Sequence, residues 1–339
     1  MKIGVIGAVP FNLIFGGGET QTINTMKSLQ DIGVDIGYYD FWNKDYKCDI
    51  LHIFGCHDWL YKWAFLAKQK GIKIALSTIA YAQEKMTLKR WLYDRFDRLL
   101  PLDTTYRLNR KLIQLADILL PNSNEEAKYL DEILGAGNKK KIVIPNAADL
   151  RYKNGDAKAA IETYGFKEYV LCVGKIEPRK NQLQLVRALA NTDIPLIVLG
   201  SFIPNAKWYY DEVISYINKN SNMKHIEFLP YDSEMLSSLY AGAKVHALLG
   251  RNETPGIVNL EAGLAGANLV VGDCKPVREY LKDHALYADF NSISDIQCKI
   301  KEAYQRKRNP ETARFIENNY TWKIVAQKTL DGYKQIIEN

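Results

Sequence analysis

Short apolar runs recur along the chain, and most are followed by a stretch in which apolar positions return with helical spacing. In the first half the runs are "KIGVIGA", "DIGYYDF", "DILHIFG", "KIALSTI", "DILLPN" and "KIVIPN". In the second they are "YVLCVGK", "PLIVLGS", "HIEFLPY", "KVHALLG" and "NLVVGD". Strand and helix alternating in this way predict parallel sheets with helices on both faces. The alternation restarts after "VIPNAAD", which predicts one domain over 1–155 and a second over 156–317, joined through "LRYKNGDAKA". The final segment, 318–339, reads as an amphipathic helix with no strand after it, and is expected to pack back on the first domain.

Two doubly wound sheets in tandem each offer the carboxyl ends of their strands as a crevice, and two facing crevices predict one interdomain ligand cleft. A chain of 339 residues, 47% hydrophobic and 25% charged, has the composition of a soluble protein with two cores. The net charge of +6 separates poorly between phosphate ligands, anionic lipid and nucleic acid. Much of the excess lies between Lys85 and Lys111, where eight Lys or Arg stand against three Asp, interleaved with Trp91, Leu92, Phe96, Leu99 and Leu100. That mixture suits peripheral contact with an anionic membrane, or an ordinary charged helix face. Five scattered cysteines without C-x-x-C read as reduced thiols rather than disulfides or a metal site. "MKIGVIGAVPF" is too short and glycine-rich for a signal sequence, and no run approaches the ~18 apolar residues of a membrane span. A cytoplasmic protein is expected, soluble or peripheral to the membrane.

Two segments carry candidate chemistry. In "RNETPGIVNLEAGLAG", 251–266, Thr254 reads as an N-cap and Pro255 as the first helical residue. The N–H groups of Gly256 and Ile257 would then be free to meet an anion at the positive end of the helix. Glu261 shares the inward face with Leu260 and Leu264. A buried carboxylate costs several kcal/mol unless partnered, either by internal donors or by the hydroxyls of a ligand. In "YVLCVGKIEPRKN", Lys175, Arg179 and Lys180 follow a strand ending at Gly174, where open α/β sheets bind ligands. They suit phosphate, or form a solvated basic loop.

In the first domain, Gly16, Gly17 and Gly18 permit close backbone approach and positive φ, and leave the next helix's first N–H groups open to an anion. No G-x-G-x-x-G is present to suggest a dinucleotide. His57 and Asp58 follow the "LHIFG" strand, where His57 can meet an acceptor or donor hydroxyl, or the two can form a helix-capping pair.

Taken together, "G-K-I-E-P-R-K-N" and, further on, "E-T-P-G-I-V-N-L-E-A" resemble the donor-site signature of retaining GT-B glycosyltransferases, specifically glycosyltransferase family 4. "FGGGETQ", "VIPNAAD" and "YTWKIVAQKTLDGY" resemble the same family's glycine-rich loop, interdomain link and final helix. The resemblance implies the GT-B fold, an acceptor-side first domain and a donor-binding second one. It implies transfer with retention from a nucleotide-diphosphate sugar, UDP or GDP being favoured, to a hydroxyl of a glycan or lipid-linked glycan. No metal, other cofactor or nucleic acid is implied, and D-x-D is absent. Lys180 matches the phosphate-binding lysine, and Lys175 stands where the family usually has arginine, with Arg179 placed to compensate. Glu261 matches the glutamate that accepts from the ribose hydroxyls, and Glu253 the one facing the donor sugar, in a pocket shaped also by Thr254. The N–H groups of Gly256 and Ile257 would hold the diphosphate. Lys175, Lys180 and Glu253 are thereby the implied catalytic set. The chain departs from the family at Ile79, where histidine is usual, leaving Ser77, Thr78, Tyr81 and His57 as polar substitutes near the sugar. A non-catalytic nucleotide-sugar-binding subunit is the alternative class, with an epimerase or phosphorylase of the same fold behind it.

Overall fold

The computed structural model describes residues 1–7, 16–81, 103–254 and 256–338. Most of the basic segment, 85–102, and Pro255 lie outside these residues. The chain divides into two compact units, Met1–Asn146 with Trp322–Asn339, and Ala147–Thr321.

The first unit is built on β1 (Lys2–Ile6), β2 (Asp35–Tyr38), β3 (Ile50–Phe54), β4 (Lys73–Ser77) and β5 (Ile118–Leu119), in the order β2-β1-β3-β4-β5. Every pairing is parallel. β3 is buried along its whole length, as a central parallel strand covered on both faces should be, which explains its unbroken apolar run. The second unit contains β6 (Tyr169–Val173), β7 (Leu196–Leu199), β8 (Met223–Ile226), β9 (Ala243–Leu248), β10 (Asn268–Gly272) and β11 (Ala285–Ala288), in the order β11-β10-β9-β6-β7-β8, again all parallel. Strand order reverses direction at β1 in one sheet and at β6 in the other. Those are the switch points at which such sheets open a crevice.

Three details differ from the pattern in the sequence. "KIVIPN" forms only an isolated parallel bridge, Leu119 to Lys141, and β8 lies earlier than "HIEFLPY" suggested. The units also part at residue 146 rather than 155. The polar link "LRYKNGDAKA" hides Tyr152, which is fully buried in the second unit's core, while Ala148 N–H donates to the Tyr320 carbonyl at 2.9 Å.

The helix Trp322–Ile337 packs on the helix Gly17–Asp31 and on β4. Its Tyr333 hydroxyl meets His52 Nδ1 at 2.6 Å, and Ser77 Oγ meets His52 Nε2 at 2.9 Å, all three residues buried. Burial pushes the His52 pKa down to about 3, so the ring is neutral, with one nitrogen donating and the other accepting. Tyr333→Phe leaves one ring nitrogen without its partner and should cost the first unit about 1–3 kcal/mol. Urea denaturation followed by a first-unit probe measures this; an unchanged midpoint would show that the network contributes nothing.

Candidate active site

The two charged segments meet because β6 and β9 are neighbours, so the loops leaving their carboxyl ends are side by side. After β6 the chain turns at Gly174 (φ 142°), and Gly200 beyond β7 (φ 157°) approaches so closely that a Cβ there would lie 2.0 Å from the Gly174 carbonyl oxygen. Gln182 Nε2 donates to the Lys175 carbonyl at 2.8 Å and fixes that turn. Among the described residues no carboxylate pairs with the half-buried Lys175.

Glu253, only 4% exposed, is the hub of the charges. Its Oε1 lies 2.8 Å from Lys180 Nζ and 3.0 Å from Arg179 Nη1, and Arg179 Nη2 reaches Glu177 at 2.7 Å. Arg251 N–H donates to the Arg179 carbonyl at 3.0 Å, tying the two loops together by backbone. Gly250 makes room for the carboxylate, since a Cβ there would fall 2.6 Å from Glu253 Cγ. Lys180 and Glu253, which the motif assigns to phosphate and sugar, are therefore joined as an ion pair. Arg179 is bound to both glutamates and is not a free substitute for the family's arginine.

The helix after β9 spans Ile257–Leu264, and its N-cap is Gly256, with φ 76° and ψ 109°, rather than Thr254. The left-handed turn at Gly256 delays the helix past the Thr-Pro pair, so the leading amide at its start is that of Ile257. Gly256 is required: φ is positive, and a Cβ would meet Leu248 at 3.0 Å and the Asn259 side chain at 3.1 Å. The same point is 3.4 Å from Glu253 Oε2, which places that carboxylate beside the helix's positive end.

Glu261 is 2% exposed. The Tyr240 hydroxyl donates to its Oε2 at 2.8 Å, whereas Oε1 has no partner in hydrogen-bond geometry. Burial pushes its pKa up to about 7, against the pull of the Tyr240 and Tyr231 hydroxyls. Tyr152 closes the cluster, edge-on to Tyr240 at 5.0 Å and to Tyr231 at 6.2 Å. This tyrosine cage was not visible in the sequence, because its members come from three separated segments.

The first-unit candidates gather at the carboxyl edge of its sheet. Gly16 is the extended N-cap (φ −170°) of the helix Gly17–Asp31, and none of the three glycines uses a positive φ. A Cβ on Gly17 or Gly18 would meet nothing within 4 Å, so no internal packing demands glycine there. His57 stacks on Trp59, with centroids 4.4 Å apart. Burial holds its imidazolium below the ordinary range, while Asp58 and Glu19 pull it back up. Thr78 is turned inward rather than presented to a sugar. Its hydroxyl donates to the buried Glu126 at 2.5 Å, and that carboxylate also accepts from Ala80 N–H at 2.7 Å and Asn122 N–H at 2.8 Å. Between Thr78 and Ala80, Ile79 is held at φ 44°, an uncommon conformation for a β-branched residue. Glu126 was another residue that sequence reasoning passed over, although Ser123-x-x-Glu126 has the spacing of a capping box.

Two doubly wound parallel units in succession are the GT-B glycosyltransferase architecture. Sucrose-phosphate synthase from Thermosynechococcus elongatus shares the fold over 100% of both chains, with a TM-score of 0.79 at 13% identity. Anabaena HepE, solved in complex with UDP, shares it over 99% of this chain and 100% of its own, with a TM-score of 0.77 at 14% identity. Residues 155–322, nearly all of the second unit, match the family Glycosyl transferases group 1. D-inositol 3-phosphate glycosyltransferase from Nocardia farcinica is 29% identical over 188 residues, 52% of this chain and 42% of that one. O-antigen chain mannosyltransferase B from Escherichia coli is 28% identical over 177 residues, 49% and 45% of the two chains. The chain spans about half the length of the curated relatives it matches.

Proposed function

We propose that the protein transfers a sugar from a nucleotide-diphosphate donor to a hydroxyl acceptor on a glycan or lipid-linked glycan, with retention of configuration. The observation that carries this reading is Glu261: a fully buried carboxylate whose Oε2 accepts from Tyr240 and whose Oε1, with the Tyr231 hydroxyl acting on the group, is outside hydrogen-bond geometry, in the unit that also holds the Lys175, Lys180 and Glu253 cluster. Ribose hydroxyls supply the missing donors. Lys175, Lys180 and the Ile257 amide then face the diphosphate, and their charge stabilises the leaving group as its bond to the sugar breaks. Lys180 turns from Glu253 to phosphate, and Glu253, still held by Arg179, accepts from the donor sugar. The acceptor hydroxyl attacks the face the diphosphate is leaving, and a donor phosphate oxygen takes its proton. The two lysines provide the charge that a metal ion supplies in other transferases. The basic segment 85–111 is proposed to meet anionic lipid where the acceptor is lipid-linked. Among the described residues no helix is long and apolar enough to cross a membrane.

A thermal-shift panel of UDP, GDP, ADP, TDP and CMP tests the donor site. A nucleotide at a hundred times its dissociation constant stabilises by about 2.7 kcal/mol, and one diphosphate should do so. No stabilisation by any of them would refute the reading. Ile79 in the usual histidine position favours a second reading, a subunit that binds the nucleotide sugar without transferring it. Single-turnover incubation with the matching labelled donor distinguishes the two: transfer or slow hydrolysis supports the enzyme, and an intact donor supports the subunit.

A further inference from the structure

Among the described residues of the first unit, Ile79 is the only non-glycine with a positive φ. A β-branched residue gains nothing from that conformation, whereas glycine would adopt it freely. Such strain persists only where the surroundings over-determine it, and it gathers at functional sites. Here the surroundings are Glu126. Its Oε1 accepts from the Thr78 hydroxyl and from Ala80 N–H, the two neighbours of Ile79, so that residue is clamped from both sides. Cys56 N–H donates to the Thr78 carbonyl at 2.9 Å, which fixes the strand side of the turn as well. The other oxygen, Oε2, accepts from Asn122 N–H. All three partners are donors, so only the ionised carboxylate satisfies them together, and an amide would set its NH2 against one of them. A glutamate that merely capped its own helix would need neither Thr78 nor Ala80, which lie 48 and 46 residues away.

Asn122 extends the clamp to a second loop. Its side chain forms a reciprocal amide pair with Gln21, in which Gln21 Nε2 donates to Asn122 Oδ1 at 2.9 Å, and both residues are buried. Gln21 stands one turn into the helix Gly17–Asp31, behind Gly17 and Gly18. One buried carboxylate therefore ties together the exit of β4 and the start of the glycine-rich helix. We propose that Glu126 is a positioning residue for the transfer reaction. It touches neither donor nor acceptor. It holds the turn at Ile79 and, through Asn122 and Gln21, the glycine-rich helix start in one relative arrangement, so that these two loops of the first unit meet the substrates preformed. The proposal rests on the transferase reading.

The test is a double-mutant cycle of Glu126→Gln, Ile79→Gly and both together, read by the single-turnover rate constant with the labelled UDP- or GDP-sugar that serves as donor. At saturating enzyme this constant does not depend on the fraction of protein folded, so a merely structural glutamate would leave it unmoved. Glu126→Gln should lower it about tenfold or more, since a misplacement of about 1 Å arising away from the chemistry costs up to about a hundredfold. Glycine takes the left-handed turn without a clamp, so in the Ile79→Gly background the same substitution should cost about twofold or less. Equal losses in the two backgrounds would overturn the proposal, and so would a rate untouched by Glu126→Gln. If Glu126→Gln does not fold, Thr78→Val removes one donor with little change of volume, and its loss should depend on Ile79 in the same way. Urea denaturation of the first unit across the same cycle reports the clamp itself. Coupling there with none in the rate would leave Glu126 a stabiliser of the fold and overturn the proposal while the transferase reading stood. A wild type that binds a diphosphate yet leaves the donor intact would show itself before any variant is made, and would sink that reading and this proposal with it.

Discussion

Glu261→Gln should stabilise the second unit at about pH 8 while weakening its response to nucleotide. The folded carboxyl titrates near pH 7 because burial opposes its charge, whereas in the unfolded chain it ionises near 4.5. Between those values the folded unit holds a proton that the unfolded chain has released. The stability this contributes is full below about pH 4.5 and is lost as pH rises through about 7, a change of order 3 kcal/mol. Glutamine is neutral throughout, so the variant's transition should lack this fall, and the gap between the two proteins should widen from about pH 5 to about pH 8. Nucleotide binding moves the other way. The anionic acceptor proposed for ribose is gone, and a hydrogen bond to a charged group contributes about 1.5–3 kcal/mol, so affinity should drop roughly tenfold to a hundredfold. Scanning calorimetry across pH, with and without the responsive nucleotide, measures both arms. Parallel pH profiles for the two proteins would mean that Glu261 is not the strained carboxylate described above.

Lys180→Ala should cost more in transfer than any other single change, about 100- to 1000-fold in turnover, the scale of losing one preorganised group that stabilises developing charge. It should also destabilise the second unit. Removing one partner of a buried ion pair costs about 3–5 kcal/mol when the other charge is left alone, but Arg179 still reaches Glu253 at 3.0 Å, so the lower end applies. Lys180→Ala combined with Glu253→Ala removes both charges, and should restore most of the stability without restoring transfer. Unchanged diphosphate affinity in Lys180→Ala would show that Lys180 only neutralises Glu253.

The central strands were legible because a parallel strand covered on both faces must be apolar nearly throughout, and β3, β6, β7 and β10 are. β11 escaped notice because it is short, lies at the sheet edge and is only partly buried until Ala288. The unit boundary was misplaced by one residue type: Tyr152 is a core side chain inside a stretch whose neighbours are polar. At the candidate site, charges at fixed spacing pick out residues that the fold brings together, but not how they pair. The Lys180–Glu253 contact depends on β6 and β9 being adjacent, which the order of residues along the chain does not state. Thr254-Pro255 has every local mark of a helix start, yet Gly256 overrides it, because a left-handed residue cannot continue a right-handed turn. Thr78 looked available for the same kind of reason; its partner Glu126 lies on another helix.

The helix that brings Tyr333 to His52 is made after the whole second unit. On the ribosome, β1 to β5 emerge first, but the helix that completes their packing is still untranslated while β6 to β11 are being laid down. The unit synthesised second can therefore finish folding first, and the unit synthesised first must wait with His52 lacking one hydrogen-bond partner and part of its helix-docking surface open. Premature termination just before Trp322 would leave a chain whose second unit is intact and whose older unit is the one that aggregates.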